Sequence, residues 1–176
     1  MPVYDILGLL PFFVLLGWAA VIDLRTRRIP NWLTLSLIAT GVIRSIAPLG
    51  GPGLGVSTMG VFGGAVVPFI LFALGALGGG DVKLMAGIGA WLGTIMAIDV
   101  FVAECVIGAC IVVAQAIAQK KTLDLFRNSA MLALNFSQHG VIATAETGKS
   151  VRTVDRPLPF AVPTFMATVL VFLFGR

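Results

Sequence analysis

The chain has 176 residues, 58% of them hydrophobic and only 11% charged, with a net charge of +4 and a mean hydropathy of +1.02. Soluble domains carry about 25% charged residues, so this balance excludes an ordinary soluble protein and calls for a single lipid-covered domain over residues 1–176. In such a chain the basic residues report membrane orientation before anything else, and no nucleic-acid partner is expected.

Six apolar segments follow in order, at about 6–22, 32–47, 56–77, 82–98, 100–118 and 158–174. Most approach the roughly 17–20 residues that a helix needs to cross the hydrocarbon layer. The first has Asp5 and no basic residue ahead of it, so it reads as a retained helix rather than a signal peptide. The second is short and carries Arg44 near its end, from which the stem reaches the headgroups. The third and fourth each carry a G-x-x-x-G step, Gly60/Gly64 and Gly89/Gly93, and such faces let helices approach closely in lipid. The fifth holds Glu104 one turn in, where a carboxyl must pair, protonate or snorkel, and a structural role is favoured. Cys105 and Cys110 read as small buried hydrophobes, and with His139 the one histidine neither a disulfide framework nor a metal site is expected. Residues 119–157 form a long polar connection, within which 122–136 places Leu123, Phe126, Ala130 and Leu134 at helical spacing. The fold class expected is an all-α integral membrane protein, a bundle of about six transmembrane helices with a cytoplasmic interfacial helix.

Orientation follows from the loops. With the N-terminus outside, the inner connections hold Arg25, Arg27, Arg28, Lys83, Lys120, Lys121, Arg127, Lys149, Arg152 and Arg156, ten of the twelve basic residues. That distribution predicts both termini outside and the 119–157 loop in the cytoplasm.

Two acidic residues then stand apart from the rest. Asp23 ends the first segment and Asp81 opens the fourth, both at the cytoplasmic edge. A helix N-cap would account for Asp81. It would not account for Gly78, Gly79 and Gly80, which permit a turn or the close approach of another backbone, such as an extended substrate. Asp23 lies at a helix C-terminus, where the dipole disfavours an anion, and surface pairing with Arg25, Arg27 or Arg28 would offset this by only about 0–1 kcal/mol. Two carboxyls sharing a site divide the work: one keeps its proton as the acid and the other activates a water for attack on a peptide carbonyl. The helix-end arguments make Asp81 the base and Asp23 the acid. No cofactor is required, and the parts of a Ser-His, Cys-His or phosphate-loop system are missing.

At these residues the chain resembles the type IV prepilin peptidases, GxGD-type membrane aspartic proteases. Gly78-Gly79-Gly80-Asp81 stands as the G-x-G-D motif and continues as Val82-Lys83-Leu84-Met85-Ala86-Gly87, while Asp23 is followed by Ile29-Pro30-Asn31. The similarity runs from about Gly17 to Gly93 and is strongest to the small branch serving tight-adherence (Flp-type) pili; Pro159-Phe160-Ala161-Val162-Pro163 is loosely similar to the family's last span. The resemblance implies an aspartic endopeptidase of the bacterial inner membrane with Asp23 and Asp81 as catalytic pair and Gly78 and Gly80 as motif glycines. Its partners would be the lipid bilayer and a prepilin, whose short cytoplasmic leader it would remove ahead of the hydrophobic helix. Larger members carry a zinc-binding cysteine cluster and also N-methylate the product; this chain lacks those cysteines, which leaves methyltransferase activity unsupported. Presenilin-like proteases pair Tyr-Asp with Pro-Ala-Leu, whereas here Ile22 precedes Asp23 and Leu158-Pro159 follows Pro157. The competing reading is a non-enzymatic component of pilus assembly or a small transporter. A transporter places its ionisable residues near the bilayer midplane, and these two lie at one edge.

Overall fold

The computed structural model describes residues 8–74, 77–119, 127, 128, 130, 131 and 160–174. Every regular element among them is helical: α1 (Leu10–Thr26), α2 (Asn31–Leu49), α3 (Gly51–Ala73), α4 (Gly79–Ala118) and α5 (Ala161–Phe174).

In α1, Phe12, Leu16, Ala19, Ala20 and Asp23 are buried at steps of three and four residues, so Asp23 lies on the same stripe as the core. The opposite face exposes Leu10, Val14, Trp18, Val21 and Leu24. An apolar outer face of that extent needs lipid to cover it. The helix ends at Arg27, which turns into the left-handed region (φ 53°) and donates its N–H to the Asp23 carbonyl at 2.8 Å. Pro30 then opens α2 in an extended conformation. α2 and α3 are separated by Gly50 (φ 61°), and Pro52 occupies the first turn of α3, where its missing N–H costs nothing.

A straight helix of the length of α4, 40 residues, would run about 60 Å, twice the hydrocarbon thickness of about 30 Å. It does not run straight. Gly93 adopts φ 80° and ψ 172°, a conformation that side-chain-bearing residues rarely take. There the chain reverses: Met85 before the turn and Ala97 after it both lie against Gly64, and Glu104 returns within electrostatic range of Asp81.

The first arm, 79–92, is the centre of the bundle, and residues 84–90 are buried on every side. Gly60 and Gly89 meet backbone to backbone, so a methyl on either would run into the other's carbonyl oxygen. Leu37 of α2 fills the space beside Gly87. Polar side chains tie the same helices: Ser57 Oγ donates to the Ala90 carbonyl at 3.0 Å, and Trp91 Nε1–H to the Leu37 carbonyl at 2.9 Å. The second arm, 94–118, buries Ala97, Val100, Phe101, Glu104 and Gly108 along one stripe. α5 packs against both α1 and α4.

Among the described residues three stretches are long and apolar enough to cross a membrane, Gly8–Thr26, Gly51–Ala73 and Gly79–Ala118, and Ala161–Phe174 is a shorter apolar helix. The all-α membrane class is therefore present. Several sequence expectations change. The break between the fourth and fifth segments falls at Gly93 rather than Asp99, because a glycine accepts the positive φ of the reversal; Asp99 is exposed inside the second arm. Cys105 and Cys110 are exposed rather than buried, since they lie off the stripe that faces the core. Arg44 places its guanidinium 5.6 Å from the centroid of the Trp91 ring, a cation–π partner within the bundle. The expected interfacial helix at 122–136 lies largely outside the described residues; Arg127, Asn128, Ala130 and Met131 within it are helical.

The glycine contact gives a direct test. Gly89→Ala overpacks a backbone contact and is expected to destabilise the protein by about 1–3 kcal/mol, read as a lower unfolding midpoint in detergent. Gly55→Ala, which meets nothing within 4 Å, leaves the midpoint unchanged or raises it. An unchanged midpoint for Gly89→Ala would contradict the α3–α4 packing.

Candidate active site

The glycine triplet does not precede the helix; it forms its start. Gly78 is the extended N-cap residue and α4 begins at Gly79, so Asp81 is its third residue rather than its cap. From there the Asp81 carboxylate reaches back and accepts the Gly78 N–H through Oδ2 at 3.1 Å, while the Asp81 N–H donates to the Gly78 carbonyl at 3.2 Å. This is the returning half of a capping box. Asp81 is buried, yet Gly78 beside it is exposed.

The turn after α1 comes to the same place. Gly80 packs against Ile29, whose Cβ lies 3.5 Å from where a Gly80 Cβ would stand. Lys83 Nζ donates to Asn31 Oδ1 at 2.8 Å. The two sequence motifs, far apart along the chain, are thus in contact. Lys83 and Asn31 join them in this structure.

Asp23 is 6% exposed and Asp81 8%, and the two lie within electrostatic range of each other. The Asp23 partner comes from an element that sequence reasoning did not connect with it. Asp23 Oδ2 accepts the N–H of Ala161, the first residue of α5, at 3.0 Å. Arg25, Arg27 and Arg28 are all exposed. The expected contrast between the aspartates, one at a negative helix end and one at a positive end, is therefore not found in their hydrogen bonding. Each accepts a backbone amide from a helix N-terminus, Asp81 from Gly78 and Asp23 from Ala161.

A third carboxyl joins them. Glu104, on the second arm of α4, is 3% exposed and within electrostatic range of Asp81. Its Oε1 lies 2.7 Å from Thr164 Oγ1 of α5, and its Oε2 is buried with no partner among the described residues. The sequence marked Glu104 as a span carboxyl but not Thr164, since a lone threonine in an apolar helix carries no signal without its neighbour. No group of three or more His, Cys, Asp or Glu side chains that could hold a metal ion occurs among the described residues.

Residues 10–113 match the model of the type IV leader peptidase family. That match covers more than half of the chain, including Asp23, Asp81 and Glu104, and the chain belongs to this family. Family and apolar helices together make it a membrane protein of a peptidase family. Neither a curated protein nor a solved structure matches the chain.

The contact between motifs is open to cross-linking. In a Cys105→Ala/Cys110→Ala background, Ile29→Cys with Gly80→Cys should form a disulfide on mild oxidation, since their Cβ atoms fall at 3.5 Å, within the range of about 3.5–4.5 Å that a disulfide requires. Ile29→Cys with Gly55→Cys serves as the pair expected to stay reduced. If the Ile29→Cys/Gly80→Cys variant kept both thiols free, as the control does, the two motifs would not meet.

Proposed function

From membership in the type IV leader peptidase family, we propose that this chain is a prepilin leader peptidase working through Asp23 and Asp81. The observation that carries the reading is the pair itself: two buried carboxyls within electrostatic range, on two motifs tied by Gly80–Ile29 packing and the Lys83–Asn31 hydrogen bond. The substrate is a prepilin, most similar in kind to those of tight-adherence pili. The bond cut lies between its short cytoplasmic leader and its hydrophobic helix.

The chemistry needs only these two groups and a water. One aspartate, ionised, takes a proton as the water oxygen bonds to the scissile carbonyl carbon. The other, protonated, gives its proton to the carbonyl oxygen as that oxygen becomes negative. Return of a proton to the amide nitrogen then lets the C–N bond break, leaving a carboxyl on the leader and an amine on the pilin. The missing side chains of Gly78 and Gly80 leave room for the Asp81 carboxylate and for Ile29 respectively, so that the two motifs close on each other beside Asp81.

The site belongs at the cytoplasmic face of the inner membrane. Six crossings, formed by α1, α2, α3, the two arms of α4 and α5, put both termini outside and residues 119–157 in the cytoplasm. The distribution of basic residues supports this orientation.

Asp23→Asn and Asp81→Asn are each expected to abolish leader removal from a co-expressed prepilin, scored by mass spectrometry, with membrane insertion intact. Near wild-type processing by either variant would refute the catalytic pair. For orientation, a cytoplasm-active reporter fused after Lys149 should be active and a periplasm-active one silent. The reverse pattern would move the site to the wrong side of the membrane.

A further inference from the structure

The first turn of α5 touches two of the three buried carboxyls. Ala161 N–H holds Asp23 at 3.0 Å, and Thr164, one turn on, meets Glu104 at 2.7 Å. Thr164 Oγ1 also lies 2.8 Å from the Phe160 carbonyl. A hydroxyl has one proton to give and a carbonyl oxygen can only accept. If Thr164 donates to Phe160, the contact with Glu104 is satisfied only when the proton between them is on Glu104. If instead an ionised Glu104 accepts the Thr164 hydroxyl, its second oxygen, buried without a partner among the described residues, carries negative charge within electrostatic range of Asp81. Leaving such an oxygen unpaired is far more costly than leaving a neutral carbonyl so. Among the described residues, the titratable groups around Glu104 give an anion no relief: Asp81 on the first arm lies within electrostatic range, Asp23 lies beyond Ala161, and the Cys105 thiol next to it is exposed.

We propose that Glu104 is a positioning residue for the aspartate pair: a neutral acid that donates to Thr164 and so locks the turn whose Ala161 amide holds Asp23. It does not touch the substrate. Its hydrogen-bond chain runs Glu104 to Thr164 to the Phe160 carbonyl, and it fixes α5 to the second arm of α4 while Ala161 fixes α5 to α1. The inference rests on Asp23 and Asp81 being the catalytic pair.

The test compares Glu104→Gln, Glu104→Leu and Thr164→Val in leader cleavage, with Asp23→Asn run alongside. An amide donates to Thr164 as the acid does, so Glu104→Gln should stay within about threefold of wild type, while Glu104→Leu and Thr164→Val should lower kcat about 100-fold with KM little changed. Infrared difference spectra at neutral pH, wild type minus Glu104→Gln, should contain the C=O band of a protonated carboxyl. If Glu104→Gln is as damaged as Glu104→Leu, or the protonated-carboxyl band is missing from the difference spectrum, the neutral acid is refuted. If Glu104→Leu and Thr164→Val cleave normally, the positioning role is refuted. The spectrum decides even where the leucine variant fails to fold. Loss of activity in Asp23→Asn with normal cleavage in the Glu104 and Thr164 variants sinks this inference alone; normal cleavage in Asp23→Asn sinks the peptidase site beneath it.

Discussion

Three carboxyl groups have to be kept out of water inside a bundle whose outer surface is apolar. Burying a polar group without a partner costs several kcal/mol, and a charged one more, so each carboxyl dictates what must lie beside it. Asp81 is served locally, by the amide of Gly78 at the start of its own helix. Asp23 and Glu104 are served by a single turn of α5, through Ala161 and Thr164. The last described helix thus brings hydrogen-bond partners to two carboxyls from other helices. The small residues Ala161, Pro163, Thr164 and Ala167, all buried, let that turn fit between α1 and α4.

Getting Asp81 and Glu104 to one end of the bundle is a problem of chain direction. Both belong to α4, and only the reversal at Gly93 returns Glu104 toward Asp81. The reversal in turn demands that the first arm be packed from all sides, with α3, α2 and its own second arm against it. Glycine makes that density possible. At Gly60 and Gly89 the helices approach until backbone meets backbone, and dispersion contacts and the Ser57 hydrogen bond replace the hydrophobic drive that lipid does not supply.

The sequence carried the membrane class and the contact stripes well, because composition and small-residue spacing are local properties. Gly60, Gly64 and Gly89 were readable as packing faces and are used as such. Asp23 was conspicuous because a carboxylate is out of place at a helix C-terminus. Its solution was not readable, since the Ala161 amide lies 138 residues away and any residue except proline offers the same N–H. The turn at Gly93 was hidden for a related reason: the apolar run continues through it, and Asp99 offered a more visible but false boundary. Thr164 gained meaning only when α5 was seen beside Glu104.

In the proposed mechanism the two aspartates act as acid and base in one step, and the pH dependence of kcat/KM for prepilin cleavage in detergent tests this most directly. Such a pair gives a bell-shaped profile whose two limbs belong to the coupled carboxyls jointly. A bell with both limbs is the result expected. A profile with a single limb, or one that stays level across the range in which carboxyls titrate, would contradict the shared aspartate mechanism.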